Sequence, residues 1–325
     1  MKIKKKIETI LIGFGRISYG YNTYNKKDII THYKAVKSNN NFKITSFIET
    51  NKFKRIKYSK KLNIDGFDKL SKIKDKIYPK LAIIATPTKT HIKIIKDILK
   101  NHKSISIILC EKPFGFNYKT SKKILQDCKK NKVKIFVNYI RRSDPGVIKV
   151  KKIIKKKFNT FTKGVVFYDG STLNQASHLI NLLQFWFGKV LKINKIQSDQ
   201  IQSKTIGLNF MLNFRNAKIV FIALNIKNFS YASIELISLK GRLQYNDRGS
   251  SIYLQKIEKD KIFGEDKLPA RKFKIITNEM NNYQLNVLKQ IYLESLGKKN
   301  YLCNGDSAIE TLKIINKLIK NNEIK

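Results

Sequence analysis

Leu81-Ala82-Ile83-Ile84-Ala85 runs five residues without a polar side chain. A strand solvated on one face would alternate, whereas a parallel strand covered on both faces is apolar throughout. Thr9-Ile10-Leu11-Ile12, Phe42 to Ile48, Ile105 to Cys110 and Val133 to Val137 also read as strands. Helical segments separate them: one resumes at Thr31-His32-Tyr33-Lys34-Ala35-Val36, one runs to Leu99, and one spans Thr120 to Lys130. Strand and helix in strict alternation predict a doubly wound parallel α/β sheet over residues 1–140.

The pattern changes after Arg141-Arg142-Ser143-Asp144-Pro145. A basic helix is expected from Ile148 to Lys157, a strand from Phe161 to Tyr168 and an apolar helix from Ser177 to Phe187, ended by Gly188. Strand-like runs then follow at Ile206 to Phe214, Lys218 to Asn225 and Ala232 to Leu239, which read as an antiparallel sheet. Helical periodicity returns at Asn281 to Leu296 and Ala308 to Ile319. Residues 141–305 therefore read as an α+β domain.

Three features carry chemistry. Gly13-Phe14-Gly15-Arg16-Ile17-Ser18 follows the first strand, where glycines permit a tight turn and close approach of backbone to a pyrophosphate. Such a loop is weak when alone, and the polar, aromatic stretch Tyr19 to Asp28 behind it reads as an inserted loop. Glu111-Lys112-Pro113 ends the run Ile105 to Cys110, so an amine is delivered to the carboxyl edge of the sheet, where ligands bind. His178 lies on the apolar helix, with Asn174 four residues before it. Taken singly, His178 fits a core histidine, and Lys112 and Glu49 fit strand-end surface residues.

The net charge of +44 raises the question of nucleic acid. Of the 67 basic residues 59 are Lys, spread along the whole chain, whereas base readers concentrate Arg with aromatic platforms. A solvated lysine surface is the better reading, and no nucleic-acid partner is expected. Cys110, Cys128 and Cys303 have no paired ligand spacing, and four His without a His-x-x-x-His pattern give no metal site. The basic opening Met1 to Lys6 is followed by only a short apolar stretch broken by glycines, so a cytoplasmic protein without a membrane partner is expected.

These motifs, in this order, resemble the glucose–fructose oxidoreductase / inositol dehydrogenase family (Gfo/Idh/MocA). The match is carried by Gly13-Phe14-Gly15-Arg16-Ile17, Ala85-Thr86-Pro87-Thr88-x-x-His91, Glu111-Lys112-Pro113, Tyr139-x-Arg141-Arg142-x-Asp144-Pro145 and Asn174-x-x-x-His178-Leu179-Ile180. It also resembles a subgroup with an insertion after the glycine loop and a Thr-His pair, here Thr31-His32, opening the next helix. The resemblance implies a Rossmann domain, a large open, mostly antiparallel sheet after it, and a last helix (306–325) packing back on the first domain. It implies NAD, with NADP not excluded, held by Gly13, Phe14, Gly15, Arg16, Ile17, Glu49, Thr86, Pro87, His91 and Glu111. Glu49 would take the adenosine ribose, and Glu111 would lie near the nicotinamide ribose.

Lys112, His178 and Asn174 would be the catalytic set, and the Lys112-Pro113 bond would be cis. The implied activity is hydride transfer between the nicotinamide and a sugar or nucleotide-sugar hydroxyl or ketone, by a homo-oligomer, dimer or tetramer. The alternative is a catalytically silent sensor on the same fold. The departure is Asn174, where many relatives carry Asp.

Overall fold

The computed structural model describes residues 6–23, 27–73, 78–157, 160–196, 207–226, 229–268 and 272–320. In chain order the first strands are β1 (Ile7–Ile12), β2 (Phe42–Ile48), β3 (Asp65–Phe67), β4 (Leu81–Ile84), β5 (Ile107–Cys110) and β6 (Lys134–Val137). Helices α1 (His32–Lys37), α2 (Lys52–Leu62), α3 (Thr88–Asn101) and α4 (Tyr118–Lys130) alternate with them. Next come α5 (Pro145–Lys157), β7 (Thr162–Tyr168), α6 (Ser177–Phe187), β8 (Lys192–Lys195), β9 (Phe210–Asn213), β10 (Ala217–Ala223), β11 (Ala232–Ser238), β12 (Gly241–Asn246) and β13 (Ser251–Lys256). A hairpin of β14 (Glu258–Lys259) and β15 (Asp266–Lys267), then β16 (Lys274–Ile275), α7 (Tyr283–Ser295) and α8 (Gly305–Lys320), complete the chain.

Two compact units result: Met1–Ser143 with Asn281–Leu312, and Asp144–Met280 with Lys313–Lys325. The first boundary falls three residues beyond 140. Asn281–Leu312 groups with the first unit and Lys313–Lys325 with the second, so only the start of the segment 306–325 groups where the whole of it is expected; residues 321–325 lie outside the described ones.

In the first unit six parallel strands run in the order β3-β2-β1-β4-β5-β6. The order reverses between β1 and β4, the switch point at whose carboxyl ends ligands bind in open α/β sheets. Both faces are covered, as continuous apolar strands require. Ile10, Ile12, Ala82, Ile84, Ile108, Cys110 and Val137 share one core with Ile95, Ile98, Ile124 and the α8 residues Ala308 and Ile309. Leu11, Leu81, Ile83, Leu109 and Phe136 share the other with Val36, Val287 and Ile291.

In the second unit eight strands run β16-β13-β12-β11-β7-β10-β9-β8. The sheet is mostly antiparallel, but β7 and β10 pair in parallel. The strand expected from Ile206 to Phe214 is shorter, Phe210–Asn213, and Ile206 lies outside the described residues. The Asp144 carboxylate caps α5, accepting the Val147 N–H at 3.0 Å and the Glu279 N–H at 2.7 Å. Among the described residues no helix is long and apolar enough to cross a membrane.

Candidate active site

The glycine loop leaves β1 with Gly13 at φ +87°. A Cβ there would stand 2.6 Å from Thr86 Cγ2 and 2.9 Å from the Ala85 carbonyl oxygen, so the loop packs directly on the end of β4. Gly15 differs: its backbone is exposed, and a Cβ built on it meets no protein atom within 4 Å. Among the described residues the N–H groups of Phe14, Gly15, Arg16 and Ile17 donate no backbone hydrogen bond. Open donors beside a glycine that faces free space form a cradle suited to a pyrophosphate.

The helix behind this loop is spliced. Tyr19 N–H returns to Gly15 O at 2.9 Å, beginning a helical turn. The chain then departs, and the turn is taken up again when His32 N–H and Tyr33 N–H reach Ile17 O and Ser18 O at 3.2 and 2.9 Å. Thr31 caps the resumed helix, its Oγ1 accepting the Lys34 N–H. The excursion expected at Tyr19 to Asp28 therefore loops out without destroying the helix; residues 24–26 of it lie outside the described ones.

Phe14 takes no part through its side chain. Its ring is buried, 4.5 Å centroid to centroid from Phe47, 5.1 Å from Tyr19 and 5.2 Å from Tyr58, so it anchors the loop from below. Arg16 is exposed and Ile17 half-buried. His91 is likewise an anchor. It is fully buried, with Nε2 2.8 Å from Thr86 O and Nδ1 3.1 Å from Pro113 O. Burial lowers its pKa, against the opposing pull of those two carbonyls and of Glu111. It ties the β4 loop to the β5 loop, leaving half-buried Ala85 and Thr86 and exposed Pro87 as that loop's accessible residues. Glu49 ends β2 half-buried, with Oε1 accepting the Asn51 N–H at 2.9 Å.

At the end of β5 the Lys112-Pro113 peptide is cis, as the resemblance implied. Glu111 Oε1 accepts from His32 Nε2 at 2.8 Å and from Asn138 Nδ2 at 2.7 Å. Burial works against the charge of Glu111, but His32, Asn138 and the Lys112 ammonium together hold its carboxyl below the usual range. Lys112 is half-buried. Burial pushes its pKa down, Glu111 opposes this, and the buried Arg141 guanidinium adds to it.

Sequence reasoning missed His32 and Asn138 as partners of Glu111. A signal existed: Asn138 follows β6 as Glu111 follows β5, two polar residues at the carboxyl ends of adjacent apolar strands.

Asn174 and His178 belong to the second unit. Thr172–Ala176 forms a π-helical turn that leads straight into α6. Ser171 Oγ accepts the Asn174 N–H, and Ser177 Oγ donates to the Asn174 carbonyl. Four residues make about one turn of such a helix, so exposed Asn174 and half-buried His178 share a side of it. π-turns recur at functional sites.

Residues 7–139 match the oxidoreductase family described as having an NAD-binding Rossmann fold, GFO_IDH_MocA. The stretch 7–139 is thus the part of the chain that this family accounts for. No curated protein matches the sequence. Solved structures share the whole fold at low identity. The WlbA dehydrogenase from Bordetella pertussis, in complex with NADH and UDP-GlcNAcA, is 15% identical with a TM-score of 0.73, over 98% of this chain and 96% of that one. UDP-N-acetylglucosamine 3-dehydrogenase GnnA from Acidithiobacillus ferrooxidans is 10% identical with a TM-score of 0.75, over 95% of each chain. A super-repressor mutant of Gal80p from Saccharomyces cerevisiae is 13% identical with a TM-score of 0.77, over 98% of this chain and 96% of that one. The same fold thus occurs in two dehydrogenases and in this Gal80p mutant.

Proposed function

We propose that this Gfo/Idh/MocA protein is a dehydrogenase that oxidises a sugar or nucleotide-sugar hydroxyl, or reduces the ketone, with NAD preferred to NADP. The observation that carries the reading is Lys112, a half-buried amine beside an ionised carboxylate at the end of β5.

The cradle at Gly15 fits a dinucleotide pyrophosphate, and Glu49 stands at the end of β2, where an adenosine ribose is read. When bound, the nicotinamide supplies the hydride acceptor or donor. Lys112 would hold its ammonium against the reacting oxygen, lowering the pKa of the hydroxyl and stabilising the alkoxide as charge develops. His178 would exchange the hydroxyl proton, a task suited to an imidazole whose ordinary pKa is near neutrality. Asn174 can hydrogen-bond a sugar hydroxyl but cannot hold an imidazolium as a carboxylate would. Glu111 would meet the nicotinamide ribose.

A homo-oligomer fits the second unit. On the face of its sheet opposite the buried Val166, Tyr168 and Phe221, Val165 and Phe167 of β7 pair with Val220 and Ile222 of β10 as an apolar row. The three cysteines are buried free thiols, in keeping with a cytoplasmic protein. The repressor fold of Gal80p favours a second reading, a silent sensor. Retention of both Lys112 and His178 argues for turnover.

The test is calorimetric titration with NAD and NADP, followed by nicotinamide absorbance with UDP-linked sugars and free sugars. NAD binding and NADH production with any of them support the reading. Tight binding without turnover across the panel supports the sensor.

A further inference from the structure

Four polar side chains from four elements meet below the end of β5. His32 comes from α1, Glu111 from the strand end itself, Asn138 from the end of β6 and Gln284 from α7. His32 is 1% exposed, Asn138 2% and Gln284 1%, so water does not compete for their bonds. An ionised carboxylate only accepts, so the directions are forced. His32 Nε2 and Asn138 Nδ2 both donate to Glu111 Oε1, and Asn138 Nδ2 also donates to Gln284 Oε1 at 3.1 Å.

We propose that His32 is a positioning residue, which fixes the Glu111 carboxylate in one orientation at the strand end that carries Lys112. The spliced helix explains how it gets there. Because His32 N–H and Tyr33 N–H close on Ile17 and Ser18, the excursion ends in register and α1 starts with an imidazole beside Glu111. His32 acts on Lys112 through Glu111, whose charge opposes the lowering of the Lys112 pKa by burial. Other groups also face this centre: His91 from α3, Tyr283 from α7, Cys110 from β5, and Arg141, whose charge acts on Lys112. These act on the centre through charge and burial, whereas His32 and Asn138 hydrogen-bond the Glu111 carboxylate directly.

The inference rests on the reading of Lys112 as the reacting amine only for its consequence, so the test uses the ligand-free, full-length chain. Carboxyl-labelled Glu is titrated by carbon NMR, with the Glu111 resonance identified by its loss in Glu111→Gln. Wild type should titrate below the ordinary carboxyl range. His32→Leu should move that titration to higher pH, and His32→Gln, which keeps an N–H donor, should restore most of it. A role in packing alone would lower thermal stability in both variants and leave the titration in place.

Nitrogen NMR of the wild type needs no variant: the proton must sit on His32 Nε2. An unmoved Glu111 titration in His32→Leu, equal displacement in His32→Gln, or an unprotonated Nε2 overturns the proposal. Wild-type turnover in Lys112→Ala would instead sink the catalytic reading and leave these titrations standing.

Discussion

At the end of β1 the candidate site is made of backbone, and at the end of β5 it is made of side chains. The β1 end offers open N–H groups and empty space over Gly15, while Phe14 points away into an aromatic core. The β5 end offers an amine and a carboxylate, braced by buried groups from three further elements. Backbone donors are blind to side-chain identity, so in the proposed reading the first would accept any dinucleotide phosphate. The second can be tuned in pKa and geometry, which chemistry demands.

The sharpest break of this contrast is at Lys112. Lys112→Ala should reduce turnover by roughly two to four orders of magnitude, the usual cost of removing an acid–base group. NAD affinity should remain nearly unchanged, because in the proposed role the amine meets the reacting alcohol rather than the dinucleotide. His178→Ala should behave likewise. Steady-state kinetics beside calorimetry separates the two quantities. If NAD affinity fell with turnover, the β5 end would be part of the binding machinery and the contrast would fail.

The two glycines of the β1 end should part company. Gly13→Ala forces a Cβ against Thr86 and the Ala85 carbonyl at positive φ, which should cost about 2–4 kcal/mol of stability. Gly15→Ala has room and should leave stability within about 0.5 kcal/mol of wild type. Its methyl would stand in the space assigned to the pyrophosphate, so NAD binding should weaken. Denaturant melts with and without NAD read both effects. A stable Gly15→Ala that binds NAD normally would place the phosphate elsewhere.

The side-chain end has its own stability test. Asn138→Ala removes one of two hydrogen bonds to the Glu111 carboxylate, which should cost about 1.5–3 kcal/mol near neutral pH. The folded-state pKa of Glu111 is lowered, so its contribution is present above the unfolded carboxyl pKa and is lost as pH falls through the folded value. The penalty of the substitution should therefore shrink in acid. A penalty that is flat with pH would mean that Asn138 acts through Gln284 and packing alone.

How much of this was legible in the sequence follows from what each element buries. Strands β4 and β5 are uninterrupted apolar runs buried throughout, and β1, β2 and β6 are rich enough in Ile, Leu, Val and Phe to be apparent from residue type. Helix α2, KFKRIKYSKKL, has no such signature, because it buries no residue fully and so lacks an apolar stripe for periodicity to detect. The three-residue strand β3 is too short to show one. The parallel pairing of β7 with β10 is likewise silent, since a half-covered strand alternates in the same way whichever direction its neighbour runs. In the site, Lys112 and Gly13 stand out by position. His91 as a buried bolt and His32 as the partner of Glu111 do not, because both depend on which loops meet in space.

The smallest expected effect concerns the choice of dinucleotide, at the end of β2 beside the backbone cradle. The Glu49 carboxylate can accept from the ribose hydroxyls of NAD and meets the phosphate of NADP as a like charge. Two features weaken the preference. One of its oxygens already accepts the Asn51 N–H. The first turn of α2 is basic, with Lys52, Lys54 and Arg55, the last donating to the carbonyls of Glu49 and Thr50 at 2.7 and 3.3 Å. Half-exposed hydrogen bonds of this kind are each worth about 1 kcal/mol, so NAD should bind more tightly by about five- to tenfold and no more. Glu49→Gln should bring the two affinities together, chiefly by improving NADP. If wild type already binds NADP as tightly, then Arg55 and its neighbours govern the ribose end, and selectivity there comes from the helix rather than from the strand end.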